Sequence, residues 1–375
     1  MAPGDWTVWL LRLLTAALLV FTFLPTLRSG AWLVRVCDFP RVQFAAAGLV
    51  FAVAWGAVLA YTGRSSEGMA WLGAWVAVVV WHGAAIAKYT RLWGRQVPTV
   101  SPEEADGDGV QQLIVNLDKG NDRRQEVREA CAGVDPDVLV LVELDRAWSA
   151  ALEPLRERYP ERIESVREDG LGLGLWSKLP LEGGEVRFLV SERRPSLWTT
   201  VRLPDGRTSR LVAVHPTPPG LPRREGEGRE SSRIRDAELV LVAREIQKEQ
   251  GKAWVVAGDF NDVAWSRTTR LFQRLSGLGD PRVGRMLLNT FHQRHPLMRY
   301  PLDHIFVSEG FGVDGFGRFA TPGSDHFGVT ARLLLRVEEG PEPNADGDEE
   351  VIGQEFVEQG ADDAEKPSGE AVRAS

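Results

Sequence analysis

Three long apolar runs crowd into the first hundred residues, at about 6–27, 42–61 and 69–87, and they constrain this chain more than any other feature. A helix needs roughly 20 mostly apolar residues to cross the hydrocarbon of a bilayer, and each run is near that length. The second, FAAAGLVFAVAWGAVLAY, carries no charge. Trp6, Trp9, Trp32, Tyr61, Trp71 and Tyr89 lie at the run ends, where aromatic rings settle at the membrane–water boundary. Arg12 is close enough to an end to reach water through its long stem. The first run makes a poor signal peptide, because its basic n-region and small-residue cleavage site are weak and two more runs follow. Buried globular helices would show an amphipathic period, which these runs lack. Residues 1–95 are therefore read as a membrane anchor of three transmembrane helices.

With three spans, the loop carrying Arg28, Arg35 and Arg41 shares a side with Lys88, Arg91 and Arg95, while Arg12 and Arg64 fall on the other. The positive-inside rule then places the chain beyond the third span in the cytoplasm.

Charge divides the rest. The last 38 residues hold thirteen acidic and two basic side chains, and the first hundred hold eight basic and three acidic. With a chain total of −8, residues 101–337 are left near −2. Such a domain lacks the basic footprint of a protein that grips long nucleic acid by its phosphates. Residues 96–109, rich in Pro, Gly and acid, read as a linker. Residues 338–375, highly charged with few large apolar groups, read as a disordered acidic tail. Cys37 and Cys131 cannot build a disulfide framework, and no Cys/His spacing suggests zinc.

Between linker and tail, over 110–337, strand-like runs alternate with helical patterns. QLIVNL and DVLVLVEL bracket a helix around Arg123–Ala132, and a second helix covers about Ala147–Arg158. GLGLWSKLP, LWTTVRLP, SRLVAVHP, AWVVAGDF, LDHIFVS and GVTARLLLRV read as strands, and an amphipathic helix spans about Ser232–Gln250 behind a Ser231 or Ser232 cap. The pattern is that of a layered α/β domain.

Most polar residues of chemical interest stand at the ends of apolar strand runs: Asn116 and Asp118, Glu143, His215, Asp259 and Asn261, Asp303, and Asp325 with His326 in the turn before the last strand. A rigid sheet presents groups to a ligand from such positions. Burying Glu143 unpaired at the end of VLVLV would cost several kcal/mol, and a metal ion or a basic side chain would resolve that cost. Carboxylates with an amide suit a hard divalent cation such as Mg²⁺ or Mn²⁺. An Asp with an Asn can orient and deprotonate water, and histidines can donate to phosphoryl oxygens. Phosphoryl transfer is largely positioning plus electrostatic stabilisation, so the inventory fits it. His304, next to Asp303 on a strand, is expected to face away and pack. His292 and His295 are expected in solvent, and Asp262 and Ser324 in turn-capping roles. GLGLG at 170–174 lacks the GxGxxG spacing of a dinucleotide loop.

Taken in order, N-x-D at 116–118, Glu143, GLGLWSK at 172–178, AVHP at 213–216, GDFND at 258–262, PLDHIFVS at 301–308 and SDH at 324–326 resemble the endonuclease/exonuclease/phosphatase family. The resemblance implies a four-layer α/β sandwich, two packed sheets flanked by helices, preceded here by the three transmembrane helices. It implies Glu143 as principal metal ligand with Asn116, Asp118 and Asp325, and Asp259 as the base that activates water with Asn261 beside it. His215 and His326 would contact phosphate, with Asp303 orienting His326. Arg233 and Arg235, in an arginine-rich stretch after the His215 loop, are weaker candidates for substrate contact. The N-terminal spans, the FPRVQ loop and MRYPLDHIF resemble a membrane-anchored bacterial branch of the family.

That resemblance leaves nucleic acid, inositol phosphates, phospholipids and polyprenyl pyrophosphates open as substrates. The anchor and the near-neutral domain favour a lipid-linked phosphate, pyrophosphate or phosphodiester, with a membrane-tethered nuclease or a non-catalytic scaffold as alternatives. No protein partner is implied. The bacterial cytoplasmic membrane is the expected location, and here the branch, some of whose members are thought to act outside that membrane, opposes the positive-inside reading.

Overall fold

The computed structural model describes residues 3–27, 29–63, 65–105, 109–218, 231–336 and 340–365. Its N-terminal helices are α1 (Pro3–Phe23), the short α2 (Trp32–Val36), α3 (Arg41–Thr62) and α4 (Ser66–Ala87). Three segments, Val8–Thr26, Arg41–Thr62 and Ser66–Ala87, are long and apolar enough to cross a membrane. Two polar contacts link these helices. Trp75 Nε1 donates to Thr15 Oγ1 at 3.1 Å, and His82 lies 3.3 Å from Thr22 Oγ1.

The N-terminal helical segment makes direct contact with the layered domain. Trp265 Nε1 donates to Asp38 O at 2.7 Å, Tyr89 Oη to Ala264 O at 2.8 Å and Gly284 N to Lys88 O at 2.8 Å. Residues 96–101, read as linker, lie along a sheet edge: Val313 N donates to Pro98 O at 3.0 Å, and Val97 and Val100 are buried. A single turn, α5 (Pro102–Ala105), comes next.

One sheet is built from β1 (Val110–Asn116), β2 (Val138–Val142), β3 (Glu161–Ser165), β4 (Leu173–Ser177), β10 (Phe311–Ala320) and β11 (Phe327–Leu335), in the order β10-β11-β1-β2-β4-β3. The other comprises β5 (Leu181–Arg187), β6 (Ser196–Arg202), β7 (Thr208–Val214), β8 (Trp254–Asp259) and β9 (Asp303–Val307), in sequence order. Alternate residues such as Ile114, Val140, Ala213, Val255 and Val329 fill one buried core between the sheets. On the outer face of the first sheet, α6 (Arg124–Val134) and α7 (Arg146–Ala151) cover Leu113, Leu139 and Trp176. On the outer face of the second, α8 (Arg233–Lys248) and α9 (Arg267–Ser276) cover Trp198, Val212 and Val256. The four layers match the expected sandwich.

Two helices differ from expectation in detail. The helix expected over Ala147–Arg158 breaks into α7 and a 3-10 turn at Glu153–Arg158, because Pro154 cannot donate to the preceding turn. Ser232 does precede α8, but its hydroxyl bonds Asp236 at 2.7 Å instead of a free N–H of the first turn.

The acidic tail requires a larger correction. Residues 347–365 form α10 (Gly347–Glu365), which packs along α8 through Ile352, Phe356 and Val357. Gly353 and Gly360, two turns apart on one face, permit the approach; a Cβ on Gly360 would stand 2.2 Å from Ala237 Cβ. Low hydrophobicity suggested disorder, yet three apolar side chains and two close glycines suffice against a ready-made helical face. Residues 366–375 lie outside the described residues.

Candidate active site

The topology gathers the suspected residues at one edge of the sandwich. Asn116 ends β1, and Glu143 comes directly after β2, its parallel neighbour. Asp259 ends β8, and His215 comes directly after β7, parallel to it with Val214 opposite Gly258. Strands β9 and β11 run the other way, so their beginnings meet those ends: Asp303 is in register with Asp259, and His326 immediately precedes β11 beside β1.

Asp259 is buried. Its Oδ2 accepts from Asn116 Nδ2 at 3.0 Å and its Oδ1 from Asn261 N at 2.8 Å. His326 Nε2 lies 3.7 Å from Asp259 Oδ2, and His326 Nδ1 is 2.8 Å from Asp303 Oδ2. Ligand atoms of Asp259, Asp303 and His326 lie within 4.8 Å of one another, a group that could hold a metal ion. Burial and then the Asp303 charge push the Asp259 carboxyl up to about 7. Burial alone would disfavour the imidazolium of His326, but the carboxylates of Asp303 and Asp259 overcome it and raise this histidine to about 10.

A second group lies alongside. Glu143 is half-buried in a left-handed backbone conformation (φ 64°), with Lys119 N donating to its Oε2 at 2.9 Å. Burial, reinforced by Asp118 and Asp325, raises its carboxyl above the usual range. Asp118, also at positive φ (55°), is raised by burial and Asp325. Carboxylates that disfavour the ionised form of Glu143 in this way fit a hard divalent cation, which would reverse the effect.

Asp118 also serves its own turn, with Oδ1 accepting from Gly120 N at 3.0 Å, and it pairs with Arg294 at 3.4 Å. Asn116, expected beside Glu143 as a ligand, directs its Nδ2 to Asp259 and its Oδ1 to Asp118 N at 3.0 Å. Asn261 Nδ2 donates to Pro216 O at 2.9 Å, tying the loop after β8 to the loop after β7. His215 is buried beyond β7, where its carbonyl accepts from Arg194 Nη1 at 3.4 Å.

Arg233 and Arg235 are both engaged by carboxylates. Arg235 is fully buried, 2.8 Å from Asp236 and 3.5 Å from Asp262, and its Nη1 donates to Asn261 O at 2.8 Å. Arg233 pairs with Asp363 of α10 at 3.4 Å. Helical geometry turns the one inward and the other toward the tail, whose packing composition does not foretell. Arg223, Arg224 and Arg229 of the same stretch lie outside the described residues.

Residues expected to have purely structural roles largely do. His304 is buried against the Phe260 ring at 4.8 Å and contacts Asp262 O at 2.8 Å. Ser324 shapes its turn, donating to Asn116 O at 2.8 Å and accepting from His326 N at 3.0 Å. Asp262 accepts from Ser266 Oγ at 2.5 Å near the start of α9, and it also faces Arg235. His292 is only half-buried, next to exposed His295, their rings 4.5 Å apart.

Two groups around the site escaped sequence reasoning. Arg35 of α2 is buried 3.3 Å from Asp236, completing a chain Arg35–Asp236–Arg235–Asp262 behind the Asn261 loop. The loop over 291–299 borders the site: Phe291 lies 4.9 Å from the His326 ring and Gln293 N donates to Asp325 O at 2.7 Å. The only cue to that loop was its composition, His and Arg interleaved with Leu and Met.

A sandwich with this edge of carboxylates, amides and histidines defines a metal-dependent phosphoric ester hydrolase. The profile of the Endonuclease/Exonuclease/phosphatase family matches residues 113–326, and the chain belongs to that family. Among solved structures it is similar to the endonuclease/exonuclease/phosphatase from Bacteroides vulgatus (17% identity, 60% of this chain, 99% of that one, TM-score 0.49). It is similar to D. rerio TDP2 complexed with single strand DNA product (18%, 60% and 98%, TM-score 0.48). The human Nocturnin catalytic domain with bound sulfate is a further case (17%, 64% and 97%, TM-score 0.47). No curated protein matches the chain.

Proposed function

We propose that this protein is a membrane-anchored hydrolase that cleaves a phosphate ester or pyrophosphate borne by a lipid, by attack of water. The observation that carries the reading is the packing of the apolar helices' connecting segments directly on the site's supporting loops, through Arg35 on Asp236 and Trp265 on Asp38. A site held this way works within reach of a bilayer, and the near-neutral domain offers little grip on long nucleic acid.

Glu143, Asp118 and Asp325 would hold Mg²⁺ or Mn²⁺, with Asn116 bordering them. Bound there, the ion would supply Lewis-acid polarisation of the phosphoryl oxygens. We favour this group over Asp259–Asp303–His326, because Asp303 Oδ2 already engages His326 Nδ1 and Asp259 already accepts from Asn116 Nδ2 and Asn261 N. Asp259 takes a proton from the attacking water, its other contacts to Asn116 and Asn261 N fixing the carboxylate plane. His326 donates to a phosphoryl oxygen as charge builds, and Asp303 keeps its ring charged and oriented. His215 acts from the opposite sheet-end as a second donor, with Asn261 positioning water or phosphate.

The test uses the full-length protein in phospholipid vesicles. We expect Mg²⁺- or Mn²⁺-dependent release of phosphate or a phosphomonoester from lipid phosphates, lipid pyrophosphates or lipid phosphodiesters, abolished by chelator and by Asp259→Asn. Efficient plasmid nicking without lipid turnover would install the nuclease reading instead. Activity untouched by both Glu143→Gln and Asp259→Asn would remove the mechanism.

A further inference from the structure

We propose that the loop Phe291–Arg299 is an interfacial element: it seats Leu297 and Met298 in the surface of the bilayer and holds the site's mouth at headgroup depth. The inference rests on the membrane-anchored reading above and adds to it the route by which substrate arrives.

The loop's height is fixed by one bond. Gln43 lies in the first turn of α3, and its Nε2 donates to Leu297 O at 2.8 Å. The first turn of a spanning helix marks the boundary between hydrocarbon and headgroups, so the backbone at Leu297 lies at that boundary. Tyr300, at the far end of the loop, packs on Phe39 just before α3, with centroids 5.6 Å apart.

Exposure agrees with this placement. Leu297 is 82% exposed and Met298 51%, although each is apolar and free to turn inward in a domain with a packed core. Leu92 (96%) and Trp93 (56%) stand out just past the end of α4, which is the same end of the bundle because α4 runs back along α3. Leu33 and Val36 are exposed on α2 between α1 and α3. Exposed apolar groups gathered at one end of a spanning bundle, with a Trp among them, form the band that meets a membrane surface.

The same loop reaches the chemistry within a few residues. Arg294 is 3.4 Å from Asp118, Gln293 N bonds Asp325 O, and Phe291 lies against His326. Its tip is flanked by Arg294 and Arg299, which would meet anionic headgroups and phosphates with complementary charge. A phosphate on a lipid could therefore pass from headgroup to site along this loop, without leaving the interface.

The test is carried out on the full-length protein in phosphatidylcholine–phosphatidylglycerol vesicles. Cys37 and Cys131 are both buried, so Met298→Cys can be labelled selectively with an environment-sensitive fluorophore. We expect blue-shifted emission quenched by bromine on lipid acyl chains and shielded from aqueous iodide. A label open to iodide and untouched by brominated lipid overturns the inference, as does shielding that appears only as protein density in the vesicle rises, which would mark contact with a second copy. Activity gives an independent reading. In the Leu297→Asp/Met298→Asp double variant, the ratio of turnover on an embedded lipid phosphate to turnover on a soluble aryl phosphodiester should fall at least tenfold, and an unchanged ratio counts against the loop. A wild type that cleaves only the soluble ester while its labelled loop reports lipid contact would sink the substrate reading and leave the loop's placement standing.

Discussion

Asn116 donates through Nδ2 to Asp259 Oδ2 at 3.0 Å, joining the last residue of β1 in one sheet to the last residue of β8 in the other. The two sheets share no backbone ladder, so this bond helps set the distance between the halves of the site. It also directs the Asn116 amide nitrogen to Asp259, leaving only Oδ1, already accepting from Asp118 N, to face the carboxylates around Glu143.

That relationship makes Asn116→Asp informative. A second carboxylate about 3 Å from Asp259 cannot ionise together with it without raising one of the pair. We expect kcat/KM at neutral pH to fall about 10²-fold or more, the loss expected for a compromised general base, and the acid limb of the pH profile to move upward. An acid limb that stays in place would show that Asp259 is not the base.

Asp303→Asn should move both limbs the other way. In the wild type, Asp259 at about 7 must ionise and His326 at about 10 must keep its proton, giving a bell with limbs near those values. Removing the Asp303 charge lowers Asp259 and releases His326, so the bell shifts to lower pH and loses height. Stability changes with a defined sign. His326 is raised above its ordinary 6.5, so its contribution is fully present below pH 6.5 and is lost as pH climbs through about 10. Thermal unfolding of the metal-free protein across that window should show the decline, and Asp303→Asn should flatten it.

Glu143→Gln should separate stability from function. The variant keeps an acceptor for Lys119 N while removing a charge that burial and Asp118 and Asp325 disfavour. Without metal we expect a Tm higher by about 2–4 °C, the shift that roughly 1 kcal/mol gives a domain of this size. Activity should be lost, and added Mg²⁺ or Mn²⁺ should stabilise the variant far less than the wild type. Calorimetric metal titration beside the melts checks both halves.

Arg35→Met tests the part of α2 in the site. Despite burial, Arg35 and Arg235 hold the Asp236 carboxyl below its usual range. Removing one partner of a buried pair costs about 3–5 kcal/mol, with Arg235 retaining some of the compensation. We expect a lower Tm in detergent, proteolytic opening near Asn261 and reduced kcat, with Arg35→Lys recovering part of each. Melting and limited proteolysis equal to wild type would mean that the contact is dispensable.

The strand-end residues were legible because each breaks an apolar run. Glu143 after VLVLV and Asp259 after WVVAG stand out against strands that otherwise bury every side chain. Parallel pairing sets Asn116 beside Glu143 and His215 beside Asp259, whereas bringing the two pairs to one edge takes the packing of the two sheets. What each touches was not legible. Asn116 could have faced Glu143 or Asp259, and the choice depends on the approach of two sheets. Arg235 looked like a ligand contact until Asp236 and Asp262 were found around it. The tail's α10 could not be foreseen because its partner surface, α8, lies a hundred residues earlier. Composition weighs a segment by itself, whereas a marginal helix is decided by what it lies against.

The Arg35–Asp236 pair has a consequence for what counts as one unit of this protein. The family profile matches residues 113–326, and a soluble fragment cut to that length would be the natural one to express. Such a fragment would lack Arg35, the Tyr89 hydroxyl that bonds Ala264 and the Asp38 carbonyl that receives Trp265. It would also lose α10 from the face of α8. The stretch that the family profile covers is thus shorter than the stretch that packs together, and the remaining pieces come from either side of it.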